Sequence, residues 1–132
     1  MAALAAIPGD EPVPSRDLSQ LTDIPPQYLS KVLRRLVLAG LLVSRKGHGG
    51  GFTLAHRPRD IRFMDVLAAV DAFPTHRHCV FGWGACNAAA PCPLHDAWLG
   101  VSESFRDWAV NTTLAEIRGD RRHRPASRGG SG

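Results

Sequence analysis

Three cysteines and one histidine, close together in the second half of this sequence, are the residues best suited to metal chemistry. Cys79, Cys86 and Cys92 are separated by six and then five residues, and His95 follows Cys92 after two more. Thiolates are the ligands that zinc and iron-sulfur clusters select. Three cysteines cannot all pair as disulfides within one chain. The pattern therefore indicates a metal centre.

The segment around these residues has little capacity to form a helix or strand by itself. It contains Gly82, Gly84, a run of three alanines and two prolines. A bound metal centre could order such a segment where backbone pairing does not. Pro93 suits the first turn of a helix, which places Cys92 near the N-cap and His95 about one turn in. The N–H groups and the dipole at that helix end favour a thiolate.

Two other interpretations of the cysteines stay open at this point. Free cysteines in a reducing compartment can act as small buried hydrophobic residues. A set of three cysteines and one histidine is also a known type of zinc site. The compact Cys-x-x-Cys knuckle of many zinc sites is absent, but spacing alone does not decide among these possibilities.

Composition indicates a small protein with a nucleic-acid partner. The 132 residues, 44% of them hydrophobic, are enough for one modest core. No apolar run approaches the roughly 18 residues of a membrane span, and the first residues lack the basic region of a signal peptide. We therefore expect a cytoplasmic protein with no membrane partner. The net charge of +4 is compatible with DNA binding.

The first half of the sequence predicts a helix-turn-helix. A short helical segment at Ala2–Ile7 precedes a helix from Ser15, its candidate N-cap, to about Leu21. After a turn, a longer helix runs from Pro25-Pro26 to Ala39, and Gly40 is a left-handed C-cap candidate. Leucines and valines recur along it at three- and four-residue steps, which gives one core face. The opposite face is polar and basic and carries Gln27, Ser30, Lys31, Arg34 and Arg35.

A basic, glycine-rich hairpin follows directly and predicts a wing. Leu41–Val43 and Phe52–Leu54 are the expected strands, joined by the turn from Arg45 to Gly51. Arg45, Lys46 and His48 supply charge, and the glycines allow close approach to a phosphate backbone. A nucleotide-binding loop is the weaker alternative because the Gly-x-x-x-x-Gly-Lys-Ser/Thr pattern is absent. An ordinary solvated basic face is another.

The second half contains a helix from about Met64 to Asp71 and then, after Pro93, a heptad-like seam of large apolar side chains. Such a seam buries its area only against another surface, and we expect that surface to be the same helix of a second copy. The alternative is packing against the chain's own DNA-binding unit. Ser102 and the charged residues are expected to point away from the seam, whose members are Leu94, Trp98, Val101, Phe105 and Trp108.

The predicted fold is mainly α with a small β-hairpin wing. We expect a winged helix-turn-helix DNA-binding domain at residues 1–74 and a cysteine loop at 75–92. A dimerisation helix and a short C-terminal helix, opened by a capping box at Thr113, would occupy 93–117. Residues 118–132, with five arginines, are expected to form a disordered basic tail.

The chain resembles the Rrf-two family of bacterial winged-helix transcription regulators of the IscR, NsrR and RirA type. The resemblance covers roughly residues 2–117 and combines the wing glycines with the three-cysteine segment. The matching residues include Tyr28-Leu29, Leu33, Leu36, Ala39-Gly40-Leu41, Ser44, Gly47, Gly49–Phe52, Ile61, Asp65-Val66, Ala69–Asp71, the cysteines with Leu94-His95, Trp98 and Thr113-Leu114.

This resemblance implies a homodimer, an iron-sulfur cluster, and binding to a double-stranded DNA operator that changes with cluster state. Cys79, Cys86 and Cys92 match the cluster ligands, and His95 occupies the place of the fourth ligand in IscR-like members. A 2Fe-2S cluster is the first expectation and a 4Fe-4S cluster the second. The chain has six residues between its first two cysteines, whereas IscR-like members have five.

The resemblance also suggests which residues meet DNA. Gln27, Ser30 and Lys31 fall where IscR-like proteins read base edges, and Lys46 falls at the position of a wing arginine. A lysine there lacks the bidentate fork of arginine. The full predicted DNA-binding set is Gln27, Tyr28, Ser30, Lys31, Arg34, Arg45, Lys46 and His48.

We therefore predict a transcription regulator, a repressor and not an enzyme, with no small-molecule substrate. Its cluster would sense iron-sulfur status, redox state or nitric oxide. One alternative is a zinc- or thiol-based redox regulator on the same fold. A more distant one is an iron-sulfur protein of electron transfer.

Overall fold

A computed structural model describes residues 1–7, 9–72 and 89–117. Its first part contains three helices: α1 at Ala2–Ala6, α2 at Ser15–Thr22 and α3 at Pro26–Leu38. Pro26 lies in the first turn of α3, where its missing N–H costs nothing. Gly40 follows α3 with a φ of 77°, so the expected left-handed end of this helix is confirmed.

One detail of α2 differs from the expectation. Ser15 was expected to cap this helix, but it is the first residue within it, and Pro14 stands at the N-cap with no side-chain cap bond. Proline fixes the extended backbone that an N-cap position adopts, so the helix begins without a hydroxyl acceptor.

The wing is a two-stranded antiparallel sheet of β1 at Leu42–Arg45 and β2 at Gly51–Leu54. Leu42 lies opposite Leu54, and Arg45 lies opposite Gly51. The hairpin therefore forms where the sequence predicted it, although β1 begins one residue later and ends two residues later than expected, and β2 begins one residue earlier.

The helix α4 covers Phe63–Ala69, after a short 3-10 helix at Pro58–Asp60. It begins one residue before the predicted Met64 and ends two residues before Asp71. The longest helix, α5, covers His95–Asn111, and a second short 3-10 helix covers Leu114–Glu116. No described helix is long and apolar enough to cross a membrane.

The segment after α5 returns to the winged-helix unit. Thr113 makes no side-chain cap, contrary to the predicted capping box. Its backbone instead pairs with Arg62, and the Leu114 N–H donates to the Ile61 carbonyl at 3.0 Å. These backbone hydrogen bonds satisfy N–H groups that a side-chain cap would otherwise bond.

The core lies between α3, the hairpin and this returning segment. Ile61 and Leu114 are its largest fully buried side chains. The other buried members of the same cluster are Leu4, Ala5, Leu18, Leu29, Leu33, Leu36, Leu41 and Leu42. Residues from both ends of the described chain thus share one core.

The helix α5 contacts α4 and buries two small side chains. Ser102 is 3% exposed, and its hydroxyl donates to the Trp98 carbonyl at 2.8 Å. Ala109 is fully buried one heptad later. Their burial contrasts with the largely exposed seam residues, from which Ser102 was expected to point away.

Candidate nucleic-acid interface and cysteine segment

The outer face of α3 presents polar and basic side chains to solvent. Its inner face is buried through Leu29, Leu33 and Leu36. Because a helix with one buried face must expose the other, the predicted DNA-reading residues Gln27, Tyr28, Ser30, Lys31 and Arg34 are all exposed. Tyr28 is 63% exposed, which is unusual for an aromatic ring.

Ser30 is more constrained than its neighbours. Its hydroxyl donates to the Pro26 carbonyl at 2.9 Å, one turn earlier in the same helix. This bond occupies the hydroxyl proton and leaves the oxygen lone pairs as acceptors.

The cations of this surface have no acidic partner among the described residues. Arg45, Lys46 and His48 of the wing are exposed, and the wing strand β1 contacts α3. Among the described residues, none of Lys31, Arg34, Arg45 and Lys46 contacts a carboxylate, whereas Arg16 pairs with Asp17 at 3.9 Å. Uncompensated charge on two adjacent elements favours a polyanionic ligand.

An extended segment around Val13 pairs with the outer edge of the wing strand β2. The Val13 N–H donates to the Phe52 carbonyl at 3.0 Å, and the Phe52 N–H donates to the Val13 carbonyl at 2.9 Å. A Cβ atom on Gly51 would lie 2.4 Å from the Val13 carbonyl carbon, so only glycine fits there. Sequence reasoning missed this pairing. The signal was present in Pro12 and Pro14, which restrict the flanking backbone to extended conformations.

Arg35 lies on the exposed side of α3, as predicted, and it also contacts another helix. Its Nη1 donates to the Val70 carbonyl at the end of α4, at 3.3 Å. The sequence contained no signal for this contact because the two residues are 35 positions apart.

Two of the four predicted metal ligands lie in the described residues. Cys92 is a half-buried free thiol, and His95 is the first residue of α5. The His95 N–H donates to the Cys92 carbonyl at 3.0 Å, so the structure places the two residues in a single turn. Cys79 and Cys86 lie outside the described residues.

The donor chemistry of this turn fits a soft or borderline metal. A thiolate and an imidazole are both established ligands of iron and zinc. No group of three or more His, Cys, Asp or Glu side chains that could hold a metal ion occurs within residues 1–7, 9–72 and 89–117. The described ligands therefore fit part of a metal site.

The predicted seam of α5 is largely exposed. Val101 is 59% exposed, Trp108 49%, Leu94 42% and Phe105 36%, while Trp98 is half-buried. Trp108 also contacts Phe63 of α4, with ring centroids 5.0 Å apart, and Phe105, at 5.6 Å. The tryptophan thus connects the winged-helix unit to an apolar surface that faces solvent in a single copy.

The family model described as an iron-dependent transcriptional regulator, Rrf2, matches residues 1–120. The chain belongs to the Rrf2 family. Members of this family are transcription regulators and not enzymes, which confirms the resemblance and the non-enzymatic class inferred from the sequence. The residue roles assigned above remain predictions.

The curated relatives are regulators named IscR. The chain is 35% identical to IscR of Vibrio campbellii over 109 residues, which cover 83% of this chain and 64% of that protein. It is 34% identical to IscR of Klebsiella pneumoniae over 106 residues, covering 80% of this chain and 64% of that protein. The chain thus spans less than two thirds of the length of these relatives.

Solved structures of two Rrf2 proteins have the same fold. CymR of B. subtilis, titled a global cysteine regulator, aligns with a TM-score of 0.70 at 22% identity, over 88% of this chain and 84% of that one. IscR of T. potens aligns with a TM-score of 0.66 at 25% identity, over 88% of this chain and 75% of that one. The predicted mainly α winged-helix fold is confirmed.

The support of the wing by Val13 predicts a difference between two glycine substitutions. Both Gly51 and Gly47 have positive φ, 147° and 95°, but an added Cβ meets backbone only at Gly51. We expect Gly51→Ala to lower the free energy of unfolding by about 2 kcal/mol or more, and Gly47→Ala by about 1 kcal/mol. Urea denaturation measures both. Equal losses would show that Val13 does not restrict the wing.

Proposed function

We propose that this Rrf2 protein is a homodimeric DNA-binding repressor whose operator affinity is controlled by an iron-sulfur cluster. The observation that carries the proposal is the uncompensated basic surface formed by α3 and the wing. The cysteine segment between α4 and α5 supplies the means of control. Such a regulator acts on DNA in the cytoplasm.

DNA binding would use α3 in the major groove and the wing against the backbone. Gln27 and Lys31 can donate to base edges, and Ser30 can accept through its free lone pairs. Tyr28 offers its hydroxyl and exposed ring at the start of the helix. Arg34, Arg45, Lys46 and His48 are the proposed phosphate contacts, whose loss should weaken binding to all sequences alike.

Dimerisation would cover the apolar stripe of α5. Its exposed members Leu94, Val101, Phe105 and Trp108, with Trp98 beside them, form a continuous line along one side of the helix. Large exposed apolar groups in such an arrangement mark interaction surfaces. A second α5 would cover them symmetrically and set the distance between the two copies of α3, which operator half-sites about 34 Å apart require.

The cluster ligands would be Cys79, Cys86, Cys92 and His95. When bound, an iron-sulfur cluster supplies a centre sensitive to iron supply, oxidants and nitric oxide. Cys92 lies in the turn before α5 and His95 is the first residue of α5, so a change in their ligation acts directly on the start of the proposed dimer helix. A 2Fe-2S cluster suits a ligand set that includes histidine, as in centres where histidine replaces cysteine. A 4Fe-4S cluster is the second choice.

A thiol-based regulator is the second candidate function. The likeness to CymR favours it, since one structure of Staphylococcus aureus CymR, with a TM-score of 0.67, is titled an oxidized form. The same three cysteines would then respond to oxidants directly, or hold zinc.

Operator binding can be tested with Lys31→Ala. On the DNA sequence that the wild-type protein selects from a random pool, we expect an affinity loss of about 1 to 3 kcal/mol because a base or phosphate contact disappears. Fluorescence anisotropy at fixed salt measures it. Arg59→Ala, which removes an exposed cation outside α3 and the wing, is the matched control. Equal affinities for wild type and Lys31→Ala would contradict the role of α3.

Cluster ligation can be tested by replacing Cys92, His95 and, as a control, His48 with alanine. Anaerobically purified wild-type protein should absorb visible light and contain iron and acid-labile sulfide. Cys92→Ala should lose both, and His95→Ala should alter the spectrum, while His48→Ala in the wing should leave it unchanged. Colourless wild-type protein with stoichiometric zinc, or with free thiols that oxidise reversibly, would support the second candidate instead.

The dimer surface can be tested with two separate variants, each of which adds one negative charge to α5. Phe105→Glu should produce monomers because an unpaired carboxylate would be buried in the apolar interface. Gly100→Glu adds the same charge about 140° around the helix, where no atom lies within 4 Å of the new Cβ, and should stay dimeric. Light scattering after size exclusion gives both masses. A dimeric Phe105→Glu protein would remove the stripe from the interface.

A further inference from the structure

Arg35 connects the helix proposed to read DNA with the chain segment that leads to the cysteines. It lies in the last turns of α3, and its guanidinium donates to the Val70 carbonyl at 3.3 Å. Val70 is the C-cap of α4, and Cys79 follows it by nine residues. Among the described residues, no other side-chain hydrogen bond joins α3 to α4.

The end of α4 has a defined geometry that this contact completes. The Ala72 N–H donates to the Leu67 carbonyl at 2.9 Å, and the Asp71 N–H donates to the Ala68 carbonyl at 3.2 Å. This pair of bonds is the Schellman motif, with Asp71 at the position where glycine is usual, at a φ of 54°. The Val70 carbonyl is left at the negative end of the helix, where a guanidinium is a favourable partner.

The contact therefore fixes the point at which the chain leaves α4 relative to α3. Val66, Ala69 and Val70 pack on the core that also buries the inner face of α3. Apolar packing is non-directional, whereas a hydrogen bond from α3 to one carbonyl defines an orientation. A displacement of the α4 end would thus pull on α3 through Arg35.

We propose that Arg35 is a positioning residue that transmits the state of the cysteine segment to the DNA-reading helix. The inference rests on the proposed function and adds its route of regulation. The alternative role for Arg35 is a direct contact with a DNA phosphate, as proposed for Arg34. The two roles differ in what happens when the cluster is removed.

The experiment compares Arg35→Gln with Arg34→Gln in the full chain. Both changes remove one positive charge from adjacent, exposed positions of α3. In cluster-free protein, hydrogen exchange measures the amides of Asp71 and Ala72. We expect at least threefold faster exchange in Arg35→Gln and no change in Arg34→Gln. Unchanged circular dichroism verifies that both variants fold.

The second measurement is the ratio of operator affinities with the cluster present and after its removal, by fluorescence anisotropy. Arg34→Gln should weaken both states equally and keep the wild-type ratio. Arg35→Gln should bring the ratio close to one. An Arg35→Gln protein with wild-type exchange, or with the wild-type ratio, would overturn the inference and leave Arg35 as a phosphate contact.

Failure of the proposed function gives a different result. If the wild-type protein selects no DNA sequence from the random pool, DNA regulation itself is refuted, whatever the exchange data show. Wild-type protein that binds DNA equally with and without the cluster would overturn both cluster control and the transmission by Arg35. A wild-type ratio that differs from one, and persists in Arg35→Gln, overturns the inference alone.

Discussion

Burial of the leucine face of α3 is the constraint on which the rest of the structure depends. Leu29, Leu33 and Leu36 are each at most 5% exposed, and they fix the rotation of the helix about its own axis. Each buried leucine contributes about 1.5 to 3 kcal/mol, so a different rotation would be costly. The basic side chains on the other face are consequently held outward, and among residues 1–7, 9–72 and 89–117 none of them has an ion-pair partner.

The second constraint is the closure of the core by residues distant in sequence. Ile61 and Leu114 meet at its centre, and backbone pairing of Arg62 with Thr113 joins the chain before α4 to the chain after α5. The cysteine segment therefore departs from and returns to elements that are anchored in one core. The Phe63–Trp108 ring contact extends this anchoring towards the exposed stripe of α5.

The sequence was most informative where periodicity or glycine chemistry specifies structure locally. The three- and four-residue repeat of α3, the left-handed Gly40 and the glycine-rich hairpin are all found where they were expected. It was least informative where distant residues meet. Pro12 and Pro14 indicate that the chain around Val13 is extended, but they do not identify Phe52 as its partner, and no local pattern predicts the bond from Arg35 to Val70.

The same division applies to the candidate site. Residue types and spacing picked out Cys92 and His95, and these do lie within one turn because they are only three positions apart. The helix itself begins at His95, two residues after the Pro93 that was expected in its first turn, so His95 opens α5 instead of lying one turn in. Whether Cys79 and Cys86 join them depends on a chain path that lies outside the described residues. The basic surface, in contrast, needs only the burial of one helix face and the closure of one hairpin.

The backing of the wing by Val13 has a consequence for recognition. A glycine-rich hairpin standing alone would sample many shapes, and a ligand would have to select one of them at an entropic cost. With Phe52 hydrogen-bonded on its outer edge and Gly51 pressed against a neighbouring backbone, that selection is made during folding. The wing is therefore preorganised at this edge, and Gly51 allows close packing against the Val13 backbone.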